Sequence, residues 1–410
     1  MNQIDIKSSL YNYSVFFIDN VKQEIDRLNK EEKVTYVIDR NVYNLYKDYF
    51  HKIDIDNIYF IDAEEHKKNI ETCMDLINFW QSIHLKKNWK IICLGGGITQ
   101  DITTFASNIY LRNVDWYFFP TTLLAMSDSC IGGKCGINMG ELKNQLGVFY
   151  PPKKIYICEK FLDTLSEADY INGWGEILKF SLTENKEFFE EIENEKQLIP
   201  CPNINDYLYE GLLVKKNVVE ADEFDGDLRR ILNYGHTFGH ALEAYTHNEI
   251  PHGKGVIWGI DVVNYISVKL GILDPDIYQE VKKLIKESFI KEEIVIDDVD
   301  RFMHILSTDK KVKNNTVYLI LLERLRKIFL HSIWRKRMDI IAIDCGASFI
   351  KATRFINGKI FRSIRQKTPL DTDADKLEKS LSMIKAMIEE LSNDVSEIAI
   401  GFSNEMHGFV

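Results

Sequence analysis

The chain lacks the features of a secreted or membrane-bound protein. Its seven cysteines, among 410 residues, include no CxxC pair, which argues against a disulfide framework and against a structural zinc knuckle. No stretch holds about 18 uninterrupted apolar residues, and the N-terminus shows no basic start followed by an apolar run. We therefore expect a soluble cytoplasmic protein whose thiols are reduced.

The chain also lacks an excess of positive charge. It has 51 Lys and Arg against 62 Asp and Glu, a formal net charge of -11, and no basic tail. This balance argues against nucleic acid or a membrane surface as the main partner. Basic residues gathered into one pocket of so acidic a protein would instead indicate an anionic substrate. The length predicts two or three domains.

Short apolar runs alternate with helical patterns over the first part of the chain. The predicted strands are YSVFFID, VTYVIDR, IYFIDA, KIICLGGG and VDWYFFPTT. This alternation predicts an α/β domain over residues 1–160, built on a mostly parallel, doubly wound sheet. From Phe161 to about Phe289 the pattern becomes helical, which predicts a second, mainly α domain over residues 161–337.

A glycine turn follows one of the predicted strands. Strand Lys90–Leu94 runs into Gly95, Gly96 and Gly97 and then into a predicted helix. Backbone amides in such a turn can hold a pyrophosphate, although Gln100 stands where the GxGxxG pattern places its last glycine. The turn is thus either a nucleotide site or a plain structural bend. Likewise Asp39, at the end of a strand, is either a ribose ligand or a turn residue.

Three histidines point to a metal. His236 and His240 stand four apart on a helix predicted over Arg230–Tyr245, and His252 follows a proline in a predicted loop. With a carboxylate they would suit zinc, but a pair of helical histidines is more often an ordinary polar face. Glu176, three residues before Lys179, is either half of a solvated salt bridge or the missing anionic ligand.

A polar loop and scattered basic residues complete the candidate set. The loop over residues 119–150 is rich in Gly, Ser, Thr and Asn, and this composition between apolar segments favours a binding loop over an ordinary surface loop. Its chemically useful side chains, with basic ones from elsewhere, are Asp128, Lys134, Lys143, Asn144, Lys215 and Arg229. Each basic residue taken singly fits solvated surface as well as a site.

The motifs together resemble one family. GGGITQD, YLR, PTTLLAMSDSCIGGKCGIN, KNQLGVFYPP, FLDTL, GWGEILKF, LRRILNYGHTFGHALE, PHGKGV and TDKK stand in this order between about residues 10 and 332. They closely resemble the 3-dehydroquinate synthases and their sugar phosphate cyclase relatives. The resemblance implies a nucleotide-binding α/β domain, a C-terminal α domain, a site in the cleft between them, and a homodimer.

The resemblance also implies residue roles. Lying along NAD would be Asp39, Asn41, Glu65, Lys68, Gly96, Gly97, Asp101, Thr121, Thr122 and Lys143, with Phe161 to Thr164 closing over the nicotinamide. Glu176, His236 and His252 match the zinc or cobalt ligands. Phosphate contacts would come from His240, Arg112, Asn144, Asn233 and either Lys310 or Lys311. Lys134, Lys215 and Arg229 match the residues that hold the substrate's carboxylate and hydroxyls, with Asp128 and Lys179 nearby.

The family reaction, as the resemblance implies it, acts on 3-deoxy-D-arabino-heptulosonate 7-phosphate. The carbon-five hydroxyl is oxidised with NAD, phosphate is eliminated, the ketone is reduced again, and an aldol step closes the ring of 3-dehydroquinate in the shikimate pathway. Three alternatives stay open: a cyclase of another sugar phosphate, a metal-dependent NAD polyol dehydrogenase, and an inactive scaffold. Arg229 favours a substrate with a carboxylate, because its planar fork matches that group.

Three positions depart from the family pattern. Asp225 stands where Glu is usual, Gly175 replaces the usual Ala before Glu176, and Cys135 replaces Thr after Lys134. We expect the shorter carboxylate of Asp225 to slacken a contact that supports the metal site.

Residues 338–410 resemble something else, the first part of an FGGY-type carbohydrate kinase with a ribonuclease H-like α/β fold. Asp344, Gly346, Ser348 and Lys351 match its first phosphate-side hairpin, and SNEMHG matches an early sugar-side strand. Such a kinase needs two lobes to enclose ATP, so we do not expect this fragment to phosphorylate a substrate.

Overall fold

The computed structural model describes most of the chain in two compact units, one of Met1–Asp309 with Leu319–His331 and one of Lys310–Tyr318 with Ser332–Val410. The described residues are 3–31, 33–140, 142–184, 186–226, 228–308, 316–324, 327–334, 339–345, 349–356, 359–367, 382–383, 386–387 and 397–402. The predicted phosphate contacts Lys310 and Lys311, and the kinase-like residues Gly346, Ser348 and 403–408, lie outside them.

The first half of the larger unit is a seven-stranded sheet. Its strands are β1 (Gln3–Ile6), β2 (Tyr13–Phe17), β3 (Val34–Asp39), β4 (Ile58–Ile61), β5 (Lys90–Gly95), β6 (Trp116–Pro120) and β9 (Lys154–Ile157), in the order β1-β2-β9-β6-β5-β3-β4. All neighbours pair in parallel except β1 with β2. The predicted strands and the mostly parallel, doubly wound sheet are therefore confirmed.

The helices of this half cover the sheet. They are α1 (Val21–Leu28), α2 (Arg40–Leu45), α3 (Ile70–Ser82) and α4 (Gly97–Ile109). Asn20 and Asn69 accept hydrogen bonds from the first turns of α1 and α3, which fixes where these helices begin. Every residue of β6 is buried, as expected for a parallel strand with both faces covered.

The remaining part of the larger unit is mainly helical. A short hairpin of β7 (Ile137–Met139) and β8 (Leu142–Leu146) comes first along the chain. The helices are α5 (Glu167–Glu184), α6 (Lys186–Asn194), α7 (Ile204–Ala221), α8 (His236–Tyr245), α9 (His252–Lys269), α10 (Pro275–Leu284) and α11 (Val299–Thr308). The predicted change to helices after Phe161 is thus confirmed. Residues of α8 and α11, including Leu242 and Phe302, share one buried cluster.

Two local predictions near the histidines are wrong. The predicted helix over Arg230–Tyr245 is interrupted, because Leu228–Asn233 forms a 3-10 turn and Gly235 adopts a positive φ of 75°, so that α8 begins at His236. His252 is not in a loop either. It is the first residue of α9, directly after Pro251, whose extended backbone forms the N-cap of the helix.

The carboxyl edge of the sheet is where a nucleotide would be expected. The strand order reverses between β3 and β5, since the chain passes from β3 outward to β4 and then returns to β5 on the other side. Open α/β sheets bind ligands in the crevice at such a reversal. Asp39 ends β3 at this edge, and Gly96 caps the N-terminus of α4 directly after β5.

The described part of the smaller unit is a four-stranded sheet. Its strands are β12 (Asp339–Cys345), β13 (Phe349–Ile356), β14 (Lys359–Lys367) and β15 (Glu397–Phe402), in the order β14-β13-β12-β15. β12, β13 and β14 pair as antiparallel neighbours, and β15 runs parallel to β12. Before them along the chain, β10 (Thr316–Arg324) pairs with β11 (Lys327–Trp334), and most residues of these two strands belong to the larger unit. Among the described helices, none is long and apolar enough to cross a membrane.

Candidate active site

Glycines bring three helices together where the metal was predicted. A Cβ at Gly253, on α9, would overlap the carbonyl oxygen of Asn172 on α5, and one at Gly259 would overlap that of Gly235 at the start of α8. The backbones of α5, α8 and α9 therefore lie nearly in contact. Close approach of this kind is possible only without side chains.

This packing gathers the predicted metal ligands. Oε1 of Glu176 lies 3.1 Å from Nε2 of His252 and 3.3 Å from Nε2 of His236. His240 joins them, since ligand-capable atoms of the three imidazoles all lie within 4.8 Å of one another. One carboxylate oxygen and imidazole nitrogens facing a common point are the donors that zinc and cobalt accept. The residues present thus fit a divalent metal.

The two imidazoles that face Glu176 are also hydrogen-bonded at their other nitrogen, Nδ1. Nδ1 of His236 lies 3.0 Å from the backbone carbonyl oxygen of Tyr234, and Nδ1 of His252 lies 2.9 Å from Oε1 of Glu243. Because Nδ1 of each ring is hydrogen-bonded to its own acceptor, the orientation of both rings is fixed with Nε2 toward Glu176. A metal would therefore bind each ring at Nε2.

The charges around Glu176 favour its ionised form. Its side chain is fully buried and accepts a hydrogen bond from Lys179, one helical turn away on α5. Burial alone would raise its pKa, but Lys179 and His236 hold the pKa well below the usual value. Glu176 and Lys179 are both buried, so the interpretation of this pair as a solvated salt bridge is wrong.

The two histidines that face Glu176 differ in their pKa. Burial lowers the pKa of His236, whereas hydrogen bonds to Glu176 and Glu243 outweigh burial and raise the pKa of His252 to about 10.

A cleft of about 130 Å³ opens beside these ligands. Its lining residues are Asp128, Lys134, Lys179, Lys215, Asp225, Arg229, Leu232, Asn233 and His236. Four of them carry positive charge, in a chain whose net charge is -11. A local excess of cations inside an acidic protein suits an anionic ligand.

An ion pair between a buried lysine and a half-buried aspartate lines the cleft. Asp128 stands on a π-helical turn, Ala125–Ser129, and its Oδ1 lies 2.8 Å from Nζ of Lys215 on α7. Lys215 also donates to the Asp128 carbonyl oxygen at 2.6 Å. Burial alone would raise the pKa of Asp128, but Lys215 and Lys179 together hold it below the usual value, while burial lowers the pKa of Lys215. Single π turns of this kind often occur at functional sites.

The cleft lining also holds a second ion pair and an arginine. Nζ of Lys134 lies 2.6 Å from Oδ2 of Asp225. Asp225 therefore contacts a residue of the predicted carboxylate site, and not a metal ligand as we expected from its position. Arg229 is 7% exposed and donates to the carbonyl oxygens of Glu223 and Gly132 at 2.7 and 3.3 Å.

The predicted NAD residues lie at the carboxyl edge of the sheet and beside it. Nζ of Lys68 lies 3.1 Å from Oδ2 of Asp101 and 2.8 Å from Oδ1 of Asn144. Burial raises the pKa of Asp101 to about 6, although Lys68 opposes this. Glu65 joins the group through a hydrogen bond from Asn138. Asn144, predicted to contact phosphate, thus contacts Lys68 in this structure.

The glycine turn itself is compact. The amide of Thr121 donates to Gly95 at 3.0 Å, and a Cβ at Gly96 would lie 3.0 Å from Cγ2 of Thr122. A Cβ at Gly97 would meet only Ser129 Oγ, at 4.0 Å, so the backbone at the start of α4 is open. An open helix N-terminus after a parallel strand fits a dinucleotide phosphate. Asp39 accepts from the amide of Asn41 and so also caps α2.

Other predicted site residues are not among those that line this cleft. Lys143 donates to Asn248 at 2.6 Å, and Arg112 is exposed on the turn after α4 with a positive φ of 56°. Phe161 and Thr164 both contact Tyr46: the Phe161 and Tyr46 ring centroids are 5.1 Å apart and the two hydroxyls of Tyr46 and Thr164 are 2.9 Å apart. Sequence reasoning missed the contacts made by Tyr46 and Glu243. A carboxylate seven residues after His236 on one helix face was the available sign of Glu243.

Solved structures share this fold. The chain superimposes on a 2-deoxy-scyllo-inosose synthase complexed with carbaglucose-6-phosphate, NAD+ and Co2+, with a TM-score of 0.71 and 20% identity over 80% of this chain and 94% of that one. A 2-epi-5-epi-valiolone synthase from Streptomyces hygroscopicus subsp. jinggangensis 5008, with NAD+ and Zn2+ bound, gives a TM-score of 0.69 and 21% identity over 92% and 97%. The fold is that of the sugar phosphate cyclases, an α/β domain followed by a helical domain.

Sequence comparison identifies the family within this class. A model of the 3-dehydroquinate synthase N-terminal region matches residues 58–172, and one of the C-terminal region matches residues 173–312. The 3-dehydroquinate synthase of Clostridium tetani (strain Massachusetts / E88) is 32% identical over 78% of this chain and 89% of its own length. That of Campylobacter curvus (strain 525.92) is 33% identical over 78% and 92%. The chain belongs to the 3-dehydroquinate synthase family.

Proposed function

We propose that the chain is a 3-dehydroquinate synthase of the shikimate pathway, a lyase that converts 3-deoxy-D-arabino-heptulosonate 7-phosphate to 3-dehydroquinate and phosphate. The observation that carries the proposal is the meeting of Glu176, His236 and His252 at the end of a cleft lined by four cations. The substrate is itself an anion with a carboxylate and a phosphate. The family relationship supports the same conclusion.

Two cofactors belong to this proposal. Glu176, His236 and His252 would hold a zinc or cobalt ion, and the carboxyl edge around Asp39 and Gly96 would hold NAD. When bound, the metal lowers the pKa of the substrate hydroxyls it touches, and NAD takes up and returns a hydride. Three protein ligands leave open coordination positions, which is typical of a catalytic metal site.

The residues of the cleft bind and orient the substrate. We assign its carboxylate to Lys134 and Arg229, because a guanidinium held by two backbone carbonyls presents its remaining N–H groups in a fixed direction. Lys215, fixed by two contacts with Asp128, would hold a hydroxyl. The buried positions of Lys179 and Lys215 keep their charges poorly screened by water.

The phosphate would lie toward His240 and Asn233. Cationic and amide donors around a leaving phosphate stabilise the charge that develops on it. We keep Arg112, Asn144 and Lys311 in this set from the family resemblance. The departing phosphate would take the proton from the carbon next to the new ketone.

Arg229 also separates the proposal from its nearest rival, a cyclase of a neutral sugar phosphate. Arg229→Leu should raise KM for the heptulosonate phosphate strongly, since the substrate carboxylate would lose a paired cation. Arg230→Leu, on the exposed neighbour, should change KM little. If both variants bind the substrate equally well and the native chain prefers a sugar phosphate without a carboxylate, the substrate assignment is wrong.

A polyol dehydrogenase is the other enzymatic rival. It would convert NAD to NADH in proportion to product, whereas the cyclase returns NAD to its starting state. Absorbance of the nicotinamide during turnover distinguishes them. No net NADH with continuing phosphate release supports the cyclase, and NADH equal to product contradicts it.

Three further parts of the proposal concern the whole chain. We propose a homodimer in the cytoplasm, as in the family pattern, and the six cysteines between Cys73 and Cys201 are all free and buried. For residues 338–410 we keep the resemblance to the start of a carbohydrate kinase as a proposal. Its support is the strand order β14-β13-β12-β15, with two antiparallel pairs followed by a parallel one, which suits a ribonuclease H-like sheet.

A further inference from the structure

The imidazole of His252 lies between two carboxylates on two different helices. Its Nε2 faces Glu176 of α5 at 3.1 Å, and its Nδ1 faces Glu243 of α8 at 2.9 Å. The ring itself stands on the first residue of α9. Its orientation is therefore fixed by side chains on both edges.

His236 is held differently. Its Nδ1 lies against the backbone carbonyl oxygen of Tyr234, two residues earlier in the chain. That acceptor is present whatever the side chain at 234 is. The orientation of His252 instead depends on the side-chain carboxylate of Glu243. A single substitution can therefore remove the acceptor that fixes this ring.

The surroundings of Glu243 allow this contact. Glu243 is on the last turn of α8, and its side chain is 15% exposed. It passes over Gly255 of α9, where a Cβ would come within 3.5 Å of Cγ of Glu243. Its carboxylate contacts the Nδ1 side of the His252 ring, away from Glu176. It therefore lies on the other side of the ring from the metal that Nε2 would bind. It is thus placed to act on the ligand and not to be one.

We propose that Glu243 is a positioning residue for the metal site. It accepts a hydrogen bond from Nδ1–H of His252, so that a metal would bind the ring at Nε2, and it holds the ring toward Glu176. Its negative charge also makes the imidazole a stronger donor to a cation. This inference rests on the proposed metal site but assigns a residue outside its ligand set.

A purely structural role for Glu243, as a link between α8 and α9, makes different predictions. Such a link would affect the stability of the metal-free protein and would leave the affinity of the folded site for metal unchanged. The positioning role affects metal affinity in the folded protein. Removal of partners of this kind typically weakens metal binding about 10- to 100-fold.

The test uses the full chain loaded with Co²⁺, whose dissociation constant is measured by competition with a chelator. Glu243→Ala should weaken binding about 10- to 100-fold. Glu243→Gln, which keeps an acceptor but not the charge, should give a smaller loss, because a charge-assisted hydrogen bond is roughly twice as strong as a neutral one. Glu249→Ala, an exposed neighbour in the following turn, is the matched control and should bind as the native chain does.

The visible absorption of bound Co²⁺ and the melting temperature of the metal-free protein complete the test. We expect an altered cobalt spectrum in Glu243→Ala, and metal-free melting of Glu243→Gln equal to that of the control. Cobalt affinity within about twofold of native in both Glu243 variants overturns the inference while leaving the metal site standing. A native chain that binds no cobalt overturns the inference together with the proposed function.

Discussion

Gly253 and Asn172 lie in backbone contact. The amide of Gly253 donates to Oδ1 of Asn172 at 2.5 Å, and a Cβ on Gly253 would overlap the Asn172 carbonyl oxygen. This contact sets the start of α9 against α5 and so places His252 opposite Glu176. The proposed metal site therefore depends on the absence of a side chain one residue after a predicted ligand.

Gly253→Ala should therefore separate α9 from α5 and move His252 away from Glu176. We expect the affinity for cobalt or zinc to fall by at least about tenfold, as when a ligand loses its orientation. Metal titration of the purified variant measures this. Gly211→Ala is the control, because a Cβ there meets only Phe180 at 3.4 Å, an ordinary contact. Equal metal affinity in both variants would show that the close packing is not required.

The pair between Lys134 and Asp225 gives a second prediction. Its side chains are 54% and 26% exposed, so the pair is worth at most about 1 kcal/mol. An anionic substrate that takes Lys134 must displace Asp225. Asp225→Asn should therefore lower KM for the substrate by at most about fivefold, while Lys134→Met raises it. Steady-state kinetics decide the matter, and a higher KM in Asp225→Asn would mean that Asp225 orients Lys134 instead of competing for it.

The pair of Asp128 and the buried Lys215 gives a third prediction. Asp128→Asn leaves the Lys215 ammonium buried without its counter-ion, which should destabilise the fold by about 3 kcal/mol and abolish turnover. Adding Lys215→Met should restore much of the stability but none of the activity, since the unpaired charge is then gone. Thermal unfolding of the metal-free proteins measures this, with Lys216→Met, on the next residue of α7, as control. A double variant no more stable than Asp128→Asn would contradict this ion pair.

The pKa of Asp101 gives a prediction about pH. Burial raises it from 3.8 to about 6. Between these values the folded chain keeps a proton that the unfolded chain has released, so the contribution of Asp101 to stability is full below the lower value and lost as pH rises through the upper one. The stability difference between the native chain and Asp101→Asn should therefore fall across this interval and then level off.

Melting temperatures of both proteins, measured across a pH range that spans the two values, test this. Asp75→Asn, on the exposed side of α3, shows how much an aspartate without such burial contributes. A difference between native and Asp101→Asn that rises with pH, or that has the same pH dependence as the control, would mean that the Asp101 pKa is not raised.

The sequence predicted the elements that local pattern determines. Apolar runs such as those of β5 and β6 gave the strands and the parallel sheet, since a strand buried on both faces reads as a continuous apolar run. It also placed Glu176 and Lys179 on one face of a helix. Whether that pair is solvated or buried depends on which elements pack on α5. The spacing of residues in the sequence does not carry this information.

The errors have a related cause. The helix predicted from Arg230 is broken at Gly235, whose positive φ and close contact with α9 are tertiary features. His252 starts a helix because its neighbour Gly253 packs on Asn172, again a contact between distant segments. The partners Glu243 of His252 and Asp225 of Lys134 could be found only once the helices were assembled.

Phosphate release tests the central claim most directly. The full chain is incubated with 3-deoxy-D-arabino-heptulosonate 7-phosphate, a catalytic amount of NAD and cobalt or zinc, and phosphate and 3-dehydroquinate are measured together. We predict equal amounts of both products, loss of turnover with a chelator or in His236→Ala, and recovery of the chelated native chain when metal is restored. Full turnover by the stripped protein or by His236→Ala would contradict the account.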